Sequence, residues 1–242
     1  MKGMGKTYAY HGMFYRNQRD RDFAYICLLG TAIRYFERAS LIKNLEDLRK
    51  KINRHFEHSA SSQNYTPQDF TEYSEERLID AVKILICFED YLKGVLVHRG
   101  YVIHNISDDP KFRVIKRQIG KKPVRMSSLK KIEGFKKDKK TGNWHLRGVK
   151  ETTLGINTLL SLRSYREVHK MPEDVCEIVE GWKRHRNRLH LSTMESAGYS
   201  KKFIRDTERL IKYVNRKMVK EHNRLKGKYG HMRIEALEEV PI

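Results

Sequence analysis

The chain has 242 residues, enough for one large or two small domains with a hydrophobic core. Its 50 Lys and Arg residues exceed its 30 Asp and Glu residues, and a protein with a net charge of +20 commonly binds a polyanion. Thirteen tyrosines and nine phenylalanines could stack on bases, which favours nucleic acid. No apolar run is long enough to span a membrane, and Met1 to Asp22 lack a signal-peptide core, so no membrane association is expected.

The three cysteines bear on compartment and on metal binding. Cys27, Cys87 and Cys176 are far apart in the sequence, and each lies within an apolar helical pattern. This placement is typical of reduced core thiols and not of disulfides or a zinc site. We therefore expect a cytoplasmic protein with no metal and no cofactor.

The fold class is predicted to be all-α, a helical bundle forming a single domain over residues 1–242. Apolar residues recur at helical spacing in six segments. These are Asp20 to Ala39, Leu41 to Phe56, Leu78 to Val97, Thr153 to Val168, Pro172 to His190, and Lys201 to Lys226. Residues 227–242 are predicted to form a tail.

The third segment is the most hydrophobic, so its helix is predicted to be central and buried. Thr66-Pro67 is a helix-start signature, Ser74-Glu75-Glu76 is a second one, and the helix is expected to end near Gly100. Glu89 and Lys93 interrupt the apolar pattern. Either they form a surface ion pair one turn apart, or a carboxylate here orients an arginine or histidine of a later helix.

Residues 107–150 form a basic, partly irregular insertion between helices. This stretch contains 15 Lys or Arg residues but only four Asp or Glu residues. A turn around Gly142 is predicted to join Ile132 to Phe135 with Trp144 to Val149 as a β-hairpin. The insertion is either a solvated charged loop or a nucleic-acid grip that combines phosphate contacts with stacking. The candidate RNA-binding residues are Lys136, Lys137, Lys139, Lys140 and Trp144.

The helix from Pro172 ends in a cluster of cations, Trp182-Lys-Arg-His-Arg-Asn-Arg-Leu-His190. At 100° per residue, Arg186 falls in the apolar stripe and His190 lies at its edge, whereas Arg184 points to the opposite side and His185 to the other flank. Turning a cation and an imidazole toward a protein interior is costly unless they are paired or serve a function. This cluster is therefore the candidate site.

These residues resemble the HEPN (higher eukaryote and prokaryote nucleotide-binding) superfamily, many of whose members are metal-independent endoribonucleases. The family motif separates an arginine from a histidine by four to six residues, commonly with Asn, His or Asp after the arginine. Arg184 has five residues before His190, whereas Arg186 has the common Arg-Asn dipeptide but only three. Helix geometry favours Arg186 and spacing favours Arg184. A kink or an early helix end would bring both to the site.

The resemblance implies a HEPN-like domain that cleaves RNA through attack of the 2′-hydroxyl on the adjacent phosphorus. His190 would be the general base or acid, Arg184 or Arg186 would hold the phosphate, and Asn187 would hydrogen-bond either. A homodimer with a composite active site would supply both proton transfers. Toxin or phage-defence roles, with an antitoxin or regulatory partner, are also implied. The supporting residues would be His185, Glu89 and Lys93.

Two other functions fit the same composition. A non-catalytic helical module for RNA binding or dimerisation needs the positive charge but not the histidine. A DNA-binding protein would place the helix from Pro172 in the major groove. A metal enzyme is disfavoured, because His185 and His190 are five residues apart and not the four that place two ligands on one helix face.

Overall fold

In a computed structural model of the protein, the backbone is described for residues 18–46, 67–106, 121–131, 135–137, 144–146, 149–190 and 201–229. These residues are mostly helical, in agreement with the predicted fold class. None of the helices within these ranges is long and apolar enough to cross a lipid bilayer.

The helices are numbered in chain order: α1 Gln18–Glu37, α2 Ser40–Lys43, α3 Pro67–His98, α4 Ile156–Ser161, α5 Arg163–His169, α6 Glu173–His190, α7 Lys201–Tyr213 and α8 Lys220–Tyr229. A π-helix at Val214–Val219 joins α7 to α8, and a 3-10 helix covers Met126–Lys131. α3 begins at Pro67, as predicted, because proline in a first turn sacrifices no hydrogen bond. The second start signal, at Ser74, lies inside this helix.

The strands form two separate antiparallel pairs. β2 (Phe135–Lys137) pairs with β3 (Trp144–Leu146), as the predicted hairpin requires, but the first strand begins at Phe135, where it was predicted to end, and the second is shorter than predicted. β1 (His104–Ile106) pairs with β4 (Val149–Thr153), and this pair was not predicted. Such short strands, far apart in the sequence, leave no usable periodicity. Their pairing holds the two ends of the basic insertion side by side.

The chain divides into two compact units. The first contains residues 1–28 and 92–170, and therefore the whole basic insertion. The second contains residues 29–91 and 171–242, and therefore α6, α7 and α8. Both α1 and α3 contribute residues to each unit. The single domain over residues 1–242 stays a prediction.

In the first unit, the start of α1 packs on the end of α3. Tyr25 stacks on His98 with ring centroids 4.9 Å apart. His98 Nδ1 lies 2.9 Å from a carboxylate oxygen of Asp22, whose residue is only 1% exposed. Gln18 Nε2 donates to the same oxygen over 2.6 Å. Gly94 allows the close approach, because a Cβ there would lie 2.8 Å from Tyr25 Cδ2.

A Schellman turn ends α3 at the predicted position. Gly100 has φ +79°, its N–H donates to the Val97 carbonyl, and the Tyr101 N–H donates to the Leu96 carbonyl, both over 2.8 Å. A left-handed φ carries no steric cost for glycine, which explains its use here. The Val102 N–H then donates to the Val124 carbonyl, so residues near 124 pack on this unit.

In the second unit, polar contacts tie neighbouring helices to α3. Asp80 accepts hydrogen bonds from the Ser40 N–H (2.8 Å) and the Leu41 N–H (2.7 Å), satisfying donors at the start of α2. The hydroxyls of Tyr91 and Tyr213 lie 3.1 Å apart in the buried interior. α3 is thus central to this unit, as the apolar pattern predicted.

Some residues predicted to face the core are exposed. Phe23 is 45% exposed and Cys27, one turn later, is also exposed, so the prediction of a core thiol was wrong for Cys27. The other apolar residues of this predicted helix face are buried as expected, namely Ile26, Leu29, Ala32, Ile33 and Phe36. Cys87 and Cys176 are buried as predicted, and all three cysteines are free thiols. Val82 of α3 is 37% exposed.

Several predicted boundaries also change. The helix expected over Leu41 to Phe56 is interrupted by a turn at Asn44, helix resumes at Leu45 and Glu46, and residues 47–66 lie outside the described ranges. The segment from Thr153 splits at Leu162, whose extended ψ of 118° separates α4 from α5. The last helix continues to Tyr229, so the first three residues of the predicted tail are helical. Residues 230–242 lie outside the described part.

Candidate functional site

α6 carries the candidate cluster and stays α-helical through His190. Glu173 and Asp174 provide carboxylates in its first turn, where the helix dipole favours negative charge. One side of the helix is anchored by apolar residues that are almost fully buried: Val175, Cys176, Val179 and Trp182. Because α6 does not kink, Arg184 and Arg186 lie about 200° apart around its axis.

A groove of about 640 Å³ lies between α6 and α7 in the second unit. α6 contributes its exposed side, including Arg184 and His185, and α7 contributes Phe203 and three charged side chains. Arg186 and Asn187 are not among the lining residues. The full lining is Asp174, Glu177, Ile178, Glu180, Gly181, Trp182, Arg184, His185, Lys202, Phe203, Asp206 and Arg209.

Two of the cations in the groove are neutralised by carboxylates. Arg209 Nε lies 2.5 Å from an oxygen of Asp174, and this hydrogen bond lowers the pKa of that carboxyl. Lys202 Nζ lies 2.5 Å from an oxygen of Asp206. Arg184 differs, because it is exposed and forms no hydrogen bond or ion pair with any of the described residues. The groove therefore presents one guanidinium that a ligand could bind.

Aromatic side chains form the inner part of the groove. Trp182 and Phe203 lie with ring centroids 5.1 Å apart, and the edge of His185 meets Trp182 at 6.0 Å and 85°. The Arg77 guanidinium lies 5.2 Å from the centroid of Phe203. His185 is half-buried. These contacts fix the imidazole of His185 beside the Arg184 side of the helix.

Arg186 and Asn187 contact each other. Arg186 donates from Nε (3.2 Å) and Nη2 (2.8 Å) to Asn187 Oδ1, and Arg186 is half-buried. Its partial burial follows its place near the apolar stripe, as predicted, but its guanidinium already holds a neutral acceptor. The backbone of His190 belongs to α6, whereas its side chain lies outside the described part of the chain.

The other predicted residues lie away from α6 in the sequence. In α3, Glu89 is half-buried and Lys93 is only 8% exposed, which does not suit the surface ion pair considered above. Lys136 and Lys137 lie in β2 and Trp144 in β3, where Lys137 is the register partner of Trp144. Lys139 and Lys140 fall outside the described residues. Their proposed contact with RNA stays a prediction.

Sequence reasoning missed the α7 side of the groove. The Lys202 and Asp206 pair carried a signal, since the two residues are four apart on one helix face. The Asp174 and Arg209 pair carried none, because it joins helices 35 positions apart. The groove therefore required the tertiary structure.

No family model, curated protein or solved structure matches this chain. The resemblance to HEPN proteins therefore rests on the residues of α6 and on the helical context. Within the described ranges, no three His, Cys, Asp or Glu side chains group as ligands for a metal ion.

Proposed function

We propose that the protein is a metal-independent endoribonuclease of the HEPN type, in which Arg184 binds the scissile phosphate and His190 transfers a proton. The observation that carries this proposal is the exposed guanidinium of Arg184, without a carboxylate partner among the described residues, on a groove whose two other cations are paired. A planar guanidinium offers parallel N–H donors that match two phosphate oxygens.

The same contacts favour Arg184 over Arg186 as the phosphate ligand. Two nitrogen atoms of Arg186 already donate to Asn187 Oδ1, so one edge of that guanidinium is occupied, whereas Arg184 forms no hydrogen bond with any described residue. The spacing of Arg184 to His190, with five residues between them, also lies within the family range. Arg184 would stabilise charge on the phosphorane oxygens, where donors contribute most to transition-state binding.

The chemistry is an intramolecular transesterification. The 2′-oxygen forms a bond to phosphorus and loses its proton, while the bond from phosphorus to the 5′-oxygen breaks and that oxygen gains a proton. The products are a 2′,3′-cyclic phosphate and a 5′-hydroxyl. His190 of one chain can perform only one of these two proton transfers at a time. A homodimer with a composite active site would supply the second, and an antitoxin or regulatory partner remains part of the proposal.

The test is cleavage of end-labelled RNA in EDTA by the wild type and three variants. We expect His190→Ala to abolish cleavage and Arg184→Gln to lower kcat about 10²- to 10³-fold, the usual effect of removing one transition-state donor. Arg186→Gln is the matched control and should change the rate only a few-fold. DNA of the same sequence should stay intact, because it lacks the 2′-hydroxyl.

The relative losses of activity in the two arginine variants decide which arginine binds the phosphate. A larger loss for Arg186→Gln than for Arg184→Gln would show that Arg186 binds the phosphate. A wild-type protein that binds RNA without cleaving it would favour the second candidate function, a non-catalytic RNA-binding or dimerisation module. The net charge of +20 supports that candidate, because binding of a polyanion requires no catalytic histidine. Duplex DNA binding without cleavage would favour a DNA-binding protein.

A further inference from the structure

The groove does not account for the positive charge of the protein. Four carboxylates line it, against three Lys or Arg side chains. The uninterrupted helical segment from α7 through the π-helix to α8 is very different. Among residues 202–229, the three Asp or Glu side chains are half-buried, whereas eight Lys or Arg side chains are exposed. We define the basic ridge as seven of these eight: Arg205, Lys212, Arg216, Lys217, Lys220, Arg224 and Lys228.

The π-helix lies in the middle of a regular series formed by five residues of this ridge. From Lys212 the basic residues recur at every fourth position, ending at Lys228. In an α-helix of 3.6 residues per turn, each four-residue step advances about 40°, so four steps would wind the line about 160° around the axis. A π-helix places an extra residue in a turn, seen here as the Lys220 N–H bonded to the Asn215 carbonyl. The extra residue reduces this winding, and all five cations are exposed.

The opposite side of the segment packs against the protein interior. Buried apolar side chains continue through all three helical elements, and His222 is buried among them. They are Ile204, Leu210, Ile211, Val214, Met218 and Leu225. An amphipathic helix that lies on a membrane needs an apolar face to insert into the lipid. This segment has no such face left, so its ridge suits a water-exposed polyanion better than a bilayer.

Few of the described carboxylates compensate the charge of the ridge. Lys212, Arg216 and Lys220 form no ion pair with any described carboxylate. Arg224 is paired with Glu221 at 2.8 Å, and Lys228 lies 4.8 Å from the centroid of the Tyr229 ring. A merely solvated helix face usually mixes both signs of charge. Repeated unpaired cations about one turn apart are what a phosphodiester backbone recognises.

We propose that the basic ridge is a binding surface for the phosphate backbone of nucleic acid. It spans at most about 24 Å between Lys212 and Lys228 at 1.5 Å per residue. Binding here requires neither the groove nor cleavage, so the inference stands apart from the proposed ribonuclease activity. Since phosphate contacts fix position and do not read sequence, the ridge should bind without sequence preference.

The test compares two triple variants of equal net charge. The ridge variant is Lys212→Gln, Arg216→Gln, Lys220→Gln. The control is Arg19→Gln, Lys43→Gln, Lys121→Gln, which removes three exposed cations elsewhere. Fluorescence anisotropy over a salt series measures binding of labelled 20-mers: 2′-O-methyl RNA as single strand and as duplex, and single-stranded DNA. Because 2′-O-methyl RNA cannot be cleaved through its 2′-oxygen, the result is independent of catalysis. Phosphatidylserine vesicles form the last arm.

Each lost phosphate contact should reduce the slope of log K against log salt by about 0.7 for single strands. At 0.1 M salt this corresponds to roughly fivefold per contact, and therefore to roughly a hundredfold weaker binding by the ridge variant. The control should stay within about threefold of the wild type, with its slope unchanged. Binding of RNA and DNA to similar extents would support recognition of the backbone, and a preference would identify the natural form.

Equal losses in the two triple variants would overturn the proposal, because net charge alone would then explain the binding. Wild-type protein that binds the vesicles and none of the nucleic acids would overturn it in favour of a membrane. Circular dichroism checks that each triple variant is folded, which is expected because all six side chains are exposed. The single variant Lys212→Gln, with an expected fivefold loss, tests the same idea with the smallest change to the protein.

Discussion

Protonation of His169 should destabilise the first unit in mild acid. The imidazole is 3% exposed, and a ring nitrogen lies 3.1 Å from the Leu159 carbonyl oxygen, which requires an N–H there. Burial lowers the pKa of His169 from 6.5 to about 4, the hydrogen bond to Leu159 opposes that shift, and the charges of Arg166 and Arg99 add to it. The folded protein therefore keeps this histidine neutral where the unfolded chain would protonate it.

The magnitude follows from linkage between proton binding and folding. Between pH 6.5 and about 4, the unfolded state binds a proton at this site and the folded state does not, so stability falls as the pH falls. Each pH unit of that interval costs 1.36 kcal/mol, and the whole interval costs about 3 kcal/mol. Above pH 6.5 both states are neutral at this histidine, and it contributes no pH dependence.

Urea unfolding of the wild type and His169→Gln, at pH 7.0, 5.5 and 4.2, measures this effect. Glutamine retains a donor for the Leu159 carbonyl but does not titrate. We expect the variant to be less stable at pH 7.0 and to lose about 3 kcal/mol less than the wild type by pH 4.2. Carboxylates titrate in both proteins and cancel in the comparison. Parallel stability curves would refute the argument, because His169 would then be protonated in the folded state.

Two further substitutions test the packing of α3, and both are followed by urea unfolding. Asp80→Ala removes the acceptor of two N–H groups at the start of α2 and should cost about 2 kcal/mol, whereas Asp206→Ala, which breaks an exposed pair, should cost under about 0.5 kcal/mol. Gly94→Ala should cost about 1–3 kcal/mol through its overlap with Tyr25, whereas Gly181→Ala, with no heavy atom closer than 3.9 Å, should stabilise its helix by about 1 kcal/mol.

The two control substitutions separate the loss of a specific contact from the sensitivity of the protein to any substitution in its helices. If Asp206→Ala costs as much as Asp80→Ala, the backbone contacts of Asp80 are not what stabilises α2. If Gly94→Ala raises stability as Gly181→Ala should, then helix propensity outweighs the contact with Tyr25.

Much of the helical structure could be predicted because the determinants are local. Pro67 and Gly100 bracket α3 through a proline first turn and a left-handed glycine, and both act within a few residues of their position. The hairpin of β2 and β3 was predictable for the same reason. The pairing of β1 with β4 was not, because it depends on partners distant in the sequence.

The candidate site was predicted in part. The apolar stripe placed Arg186 near the interior, and it is half-buried. The same helical geometry could not show that α7 would pack beside α6 and make Arg184 and His185 groove residues. Nor could it reveal which cations would be neutralised, since Asp174 and Arg209 meet only in the folded unit.

The pairing of β1 with β4 has a consequence for how the basic insertion can vary. Ile106 and Val149 are register partners, so the two ends of the insertion lie on neighbouring strands, about 5 Å apart. The β1–β4 pair already holds the ends of the insertion together. Doubling the length of the insertion would therefore add only about 0.6 kcal/mol to the entropic cost of loop closure. A change in the length of the insertion should therefore cost little, because the β1–β4 pair fixes its two ends. The length and charge of the insertion can thus change with little loss of folding free energy.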